Sequence, residues 1–463
     1  MAFSARNFFL AATFVFALAG PVSAQDNATP TMPATENAAP APSANEAAAP
    51  TPEAAGPEII ETPEGAKAHV SFDPKAATDA YLATVKGEAR AKSDAYFEGG
   101  YVLQAVDTLY ALIVAAVLLW TKISARIRNW AQRITRMRWL QVPIYAIVYI
   151  VLAALLTFPL TAYEQFHREH QYGLSNQDFM GWFTDFIKLF GVSTLIFIVF
   201  VTVLYAFMRW TRDRWWLWGT AIAVLFIAFT SMIAPVYVAP LINDYKPLAE
   251  GQIKSDILSM ARANGVPADN VWEFNASKQS KRISANVSGL LGTTRVSLND
   301  NLLNRSTPAE IRAVMGHELG HYVLGHTYTF LSWALIIAFI AFGFTNWAFK
   351  RLTGAYGNRW DVHGIDDPAG MPLVFALIGF LLFVGTPVLN TMVRSVEAQA
   401  DIFGLNAARE PDGFATVTLK LSEYRKLDPT PLEEFVYYDH PSGRSRISMA
   451  MQWKAEHLNE QSR

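Results

Sequence analysis

The chain has 463 residues, of which 52% are hydrophobic and only 17% charged, with a formal net charge of −2 and no cysteine. Long apolar runs account for the hydrophobic excess, so it does not reflect one large soluble core. No basic cluster interleaved with aromatics is present, which excludes nucleic acid as a partner, and without thiols any metal site must use N and O donors.

Residues 1–24 read as a secretory signal peptide: Arg6 opens it, Phe8 to Ala19 is a short apolar core, and Val22-Ser23-Ala24 is a small-residue cleavage site. Residues 25–66 are rich in Ala, Pro, Thr and Glu, with no basic residue before Lys67, a composition expected to give a disordered tether. The region 67–239 adds some helix over 67–100. It then carries four apolar segments, roughly 102–121, 140–161, 186–208 and 216–238, each long enough to cross a bilayer. Trp210, Trp215, Trp216 and Trp218 lie between the third and fourth, as an interfacial belt would.

Residues 240–327 read as a small α+β insert. A helix is expected over 251–264, and short strands over Val271–Phe274 and Thr294–Leu298. Asn286 lies between those strands, where an edge strand holding an extended substrate is one reading and an ordinary hairpin the other. Thr307-Pro308 with Glu310 opens a helix, and its apolar positions recur at helical spacing to Val323. That helix carries His317-Glu318-Leu319-Gly320-His321. Two imidazoles four residues apart are only about 40° apart around a helix axis, so both can meet one Zn²⁺, while a carboxylate beside the first reaches the metal's water. His326 projects to roughly the far side of an unbroken helix, which makes it a hydrogen-bonded histidine near the helix end rather than a ligand.

Two further spans, 328–349 and 371–391, complete a mainly α, polytopic membrane protein of about six spans. The C-terminal region 392–463 is expected to be helical and opens with Glu397 and Asp401, one turn apart. Glu397 is the candidate third zinc ligand, and Asp401 would accept the free ring N–H of a ligating histidine. The short loops 122–138, 209–214 and 350–359 are basic and therefore cytoplasmic. This places 162–185, 239–327 and 392–463 on the opposite side, which is periplasmic in a bacterial inner membrane.

The HELGH pentad followed by His326, the Glu397-Ala398-Gln399-Ala400-Asp401 run, Ala239-Pro240-Leu241-Ile242, and His440-Pro441 with Arg446 resemble the type I CAAX prenyl endopeptidases. The resemblance extends over about 100–450. It implies an integral-membrane zinc peptidase that holds one zinc ion through His317, His321 and Glu397, with Glu318 as the catalytic base. It further implies that Asp401 supports a ligand, that His440 and Arg446 approach the reacting carbonyl, and that the zinc lies in a water-filled chamber ringed by helices. Where members carry Asn-Ala-Tyr this chain has Ser284-Ala285-Asn286, making Ser284 and Asn286 the substrate-binding candidates. The family's first span is replaced by the signal-like segment and tether.

The expected activity is therefore zinc-dependent hydrolysis of peptide bonds in membrane-associated, lipidated or misfolded proteins or peptides. A transporter with an incidental HExxH is disfavoured because the spans lack midplane ionisable groups. A non-hydrolytic membrane quality-control protein is disfavoured by the intact ligand set and Glu318.

Overall fold

A computed structural model describes residues 59–68, 71–288 and 294–461. The expected signal peptide and the tether as far as residue 58 lie outside the described residues. The last residues of the expected tether are folded: Glu64–Ala66 forms a 3-10 turn in which Ala66 is buried. Its carbonyl accepts a hydrogen bond from Lys454 Nζ at 2.7 Å.

The protein is mostly helical. After α1 (Pro74–Leu82), α2 (Gly87–Trp120) runs 34 residues, about 51 Å, with its polar first half beyond the apolar expected span. Lys122 in the left-handed region (φ 60) turns the chain into the amphipathic α3 (Ile123–Ile134), and α4 (Arg138–Ala162) follows. Helices α5 (Phe179–Thr211) and α6 (Trp215–Ile233) reverse at Arg212 (φ 47), and the ring pairs Phe200–Phe226 and Phe207–Trp218 mark them as an antiparallel hairpin.

Among the described residues, four helical stretches suit a bilayer by length and composition: Gly87–Trp120, Arg138–Gln171, Phe179–Ile233 (the hairpin) and His326–Trp360. A fifth arises if the pair bent by 61°, Pro368–Val384 with Thr386–Ala408, is one span. The expected straight segment 371–391 is thus two helices, α10 (Met371–Val384) and α11 (Thr386–Ala408), with α9 (His326–Trp360) preceding them. Pro387 lacks the N–H that would continue the helix, so an unbroken apolar run is bent.

In the 240–327 region, β1 (Tyr245–Pro247), α7 (Gln252–Ala263), β2 (Val271–Phe274), β3 (Ala285–Ser288) and β4 (Arg295–Asn299) precede α8 (Pro308–Val323). The sheet order is β1-β2-β4-β3, with β2 parallel to β4 and the two outer strands antiparallel to their neighbours. The edge strand β3 packs on α8. Ile257, Val271, Val296, Leu298, Ile311, Met315 and Leu319 form one buried core that fixes the sheet against α8. Of the C-terminal helices, α12 (Pro411–Leu421) packs on α8, α13 (Pro431–Tyr437) and α14 (Gly443–Gln461) pack on α11, and α12 and α14 receive α1.

Candidate metal centre

Helix α8 begins where the sequence places it. Thr307 Oγ1 accepts from Glu310 N at 3.3 Å, and Glu310 Oε2 accepts from Thr307 N at 2.7 Å. Lys420 Nζ donates to the same buried Glu310 oxygen at 2.7 Å, which anchors α8 to α12.

Three glycines bring α8 and α11 into backbone contact. A Cβ on Gly404 would lie 2.7 Å from His317 N, and one on Gly316 would lie 2.9 Å from Gly404 O. Gly320 meets Ala400 Cα in the same way, at 3.2 Å. This close approach lets the short Glu397 side chain reach both imidazoles. The sequence signal for it was available: glycines at 316 and 320 on one helix face.

His317, His321 and Glu397 place one donor atom each within 4.8 Å of one another, the one such group among the described residues. His317 Nε2 is 3.1 Å from His321 Nε2 and 3.3 Å from Glu397 Oε2, and His321 Nε2 is 3.7 Å from Glu397 Oε1. Bonds of about 2.0–2.2 Å in a tetrahedral zinc site give donor–donor edges of about 3.3–3.6 Å, so this spacing fits the ion. Glu397 Oε2 is buried and makes no hydrogen bond, as a ligand atom would.

Behind the donors, His317 Nδ1 donates to Asp401 Oδ1 at 2.8 Å, and Arg446 Nε donates to Asp401 Oδ2 at 2.9 Å. Arg446 thus backs Asp401 from the buried side. His440 Nε2 lies 3.3 Å from Glu397 Oε2 and its Nδ1 lies 2.8 Å from Asp439 Oδ1, so the ring faces the donor cluster. Asp439 carried no sequence signal.

Burial disfavours charge on both rings, yet the carboxylates of Asp401 and Glu397 hold His317 up at about 10. His321, buried beside His317, is lowered to about 3. Loss of hydration pushes the Glu318 carboxyl up to about 7, although the neighbouring His317 pulls it down. A carboxylate poised there can take up and give back a proton near neutral pH.

Of the substrate-binding candidates, Ser284 directly precedes β3 and Asn286 lies within it. Ser284 N donates to Asn299 Oδ1 at 3.1 Å, and Asn286 is buried in β3 opposite Ser297. His326 lies beside His321, contrary to its projection along one straight helix. Gly325 (φ 66) breaks the helix and restarts it as α9, so angles counted along α8 do not carry across.

A family model described as peptidase family M48 matches residues 247–454, and one described as CAAX prenyl protease N-terminal, five membrane helices, matches residues 73–244. The uncharacterized metalloprotease YhfN of Bacillus subtilis is 31% identical over 336 residues, covering 72% of this chain and 79% of its own. CAAX prenyl protease 1 of Saccharomyces cerevisiae is 27% identical over 318 residues, 64% of this chain and 69% of its own. The crystal structure of S. mikatae Ste24p superposes with a TM-score of 0.66 at 21% identity, covering 79% of this chain and 89% of that one, a likeness in fold.

Proposed function

Because the chain belongs to peptidase family M48, as an integral-membrane zinc metalloendopeptidase related to the CAAX prenyl proteases, we propose that His317, His321 and Glu397 hold its single zinc ion and that Glu318 is its catalytic base. The observation that carries this reading is the convergence of three donor atoms within 4.8 Å, with Glu318 adjacent in sequence to the first. When bound, zinc supplies Lewis-acid polarisation of the scissile carbonyl and an acidified water.

Glu318 takes the proton of the attacking water and returns it to the leaving amine. His440, whose Nε2 faces the donors, is placed to donate to the oxygen that gains charge. Losing one such donor typically costs about 3 kcal/mol of barrier. Arg446 acts through Asp401: it holds that carboxylate, and the carboxylate holds the His317 tautomer. Ser284 and Asn286, before and within the edge strand packed on α8, are proposed to hold the substrate backbone extended.

The substrates are membrane-associated, lipidated or misfolded proteins or peptides, entering from the periplasmic side of a bacterial inner membrane. Two features support this orientation. The basic loops are tied together at one end, through Arg128 with Asp361 and Asp367 and through Lys350 with Asp213. The 162–185 loop joins the insert at the other, through Glu169 with Arg282. Counting α2, α4, α5, α6, α9 and the bent α10–α11 pair gives six crossings.

Glu318→Gln in the purified, zinc-loaded protein is expected to keep the metal and lose cleavage of a labelled peptide. Turnover at the wild-type rate with zinc retained would remove Glu318 as the base.

A further inference from the structure

The second imidazole of the pentad rests on groups that the mechanism above leaves unused. His321 Nδ1 is 2.9 Å from His326 Nδ1, and His326 Nε2 is 3.3 Å from Gln399 Oε1. Gly325 makes this possible. Its positive φ ends α8, and α9 starts at His326 with the ring folded back against His321, the centroids 5.0 Å apart.

Hydrogen-bond inventory fixes the proton positions. A neutral imidazole has one N–H, and a ring that binds metal through Nε2 must carry that hydrogen on Nδ1. His321 Nδ1–H then donates to His326 Nδ1. His326 must carry its own hydrogen on Nε2, from which it donates to the carbonyl oxygen of Gln399. We propose that His326 and Gln399 are positioning residues: a neutral relay that sets the tautomer and ring plane of His321 for zinc. It is the counterpart of the ionic support that Asp401 and Arg446 give His317. The inference rests on the reading of His321 as a zinc ligand.

The asymmetry has a chemical consequence. A carboxylate behind a ligating histidine raises its basicity, whereas a neutral acceptor orients the ring without adding charge to the site. With the Glu397 carboxylate already among the donors and Asp401 offset by Arg446, a neutral support at His321 adds no further negative charge to the site.

The test measures zinc affinity of the full-length, detergent-purified protein by competition with a chelator of known affinity, for wild type, His321→Ala, His326→Leu, His326→Gln and Gln399→Leu. Loss of such a support typically weakens metal binding about 10–100-fold, and His326→Leu is expected to fall in that range. His326→Gln is expected to stay near wild type, since its amide accepts from His321 and donates to Gln399. Gln399 is exposed, so its replacement tests the relay without repacking a buried site, and a smaller but measurable loss is expected.

Wild-type affinity in His326→Leu, or equal weakening in His326→Gln and His326→Leu, would overturn the relay. If His326→Leu does not fold, wild-type affinity in Gln399→Leu overturns it instead. A wild-type protein that takes up no zinc, or His321→Ala binding as tightly as wild type, would sink the ligand assignment rather than the relay.

Discussion

Asp401 is fully buried and receives three donors at once: Nδ1 of His317 on one side, Nε and Nη2 of Arg446 on the other. Removing one member of a buried ion pair strands the other, at a typical cost of about 3–5 kcal/mol. Asp401→Asn is therefore expected to lower the unfolding transition and also to weaken zinc binding. Replacing both partners with apolar residues, Asp401→Leu with Arg446→Met, should restore much of the stability, because no charge is left unpaired. It should not restore zinc affinity, because His317 still lacks its acceptor. Calorimetric melting alongside chelator competition separates the two effects. Recovery of both properties together would mean that Asp401 serves packing alone. At this scale much was readable beforehand, since the four-residue steps 317/321 and 397/401 report shared helix faces directly. Arg446 was read as a group reaching the carbonyl, and its Nε and Nη2 donate to Asp401. His326 is the hydrogen-bonded histidine at a helix end that the sequence suggested, but its direction was not legible, because helical projection assumes an unbroken helix and Gly325 breaks it.

The crossing of α8 over α11 brings those residues together, and its closeness depends on missing side chains. Gly404→Ala would set a methyl 2.7 Å from His317 N and 3.0 Å from its Cα. The helices must separate, at a typical overpacking cost of about 1–3 kcal/mol, and Glu397 retreats from the imidazoles as they do. The expected outcome is a lower melting temperature and weaker zinc retention on dialysis. Gly354→Ala is the matched control: its added Cβ meets nothing within 4 Å, so both measurements should stay near wild type. Unchanged zinc retention in Gly404→Ala would show that the crossing tolerates separation. In the insert α7, α8, β2 and β4 were legible because alternation and 3.6-residue periodicity are local properties of the chain, whereas the three-residue β1 is too short to carry such a period. The bend between α10 and α11 was not, since hydropathy over 371–391 registers apolar character but not the missing N–H of Pro387.

Across the whole molecule the apolar middle separates two differently charged ends. At one end Arg126, Arg133, Arg136 and Arg138 are exposed on or beside α3, while Arg128 is buried against Asp361 and Asp367. At the other, Arg282 bridges to Glu169 and Lys281 N donates to Leu174 O, so the insert is moored to the loop after α4. Hydropathy and loop charge anticipate this polarity, because both are sums over local composition. They do not reveal that α1 docks on the C-terminal helices, where Tyr81 donates to Asp412 across 331 residues of sequence. The absence of cysteine makes the proposed orientation directly testable. Gln132→Cys marks the basic end and Asp269→Cys an exposed loop of the insert. With a maleimide that crosses the outer but not the inner membrane, Asp269→Cys should label in intact bacterial cells, and Gln132→Cys only after lysis. Electrostatics supports this outcome, since basic loops resist translocation and the anionic cytoplasmic leaflet retains them. The reverse pattern would place the zinc cluster in the cytoplasm, and exported or periplasmic proteins would then be excluded as its substrates.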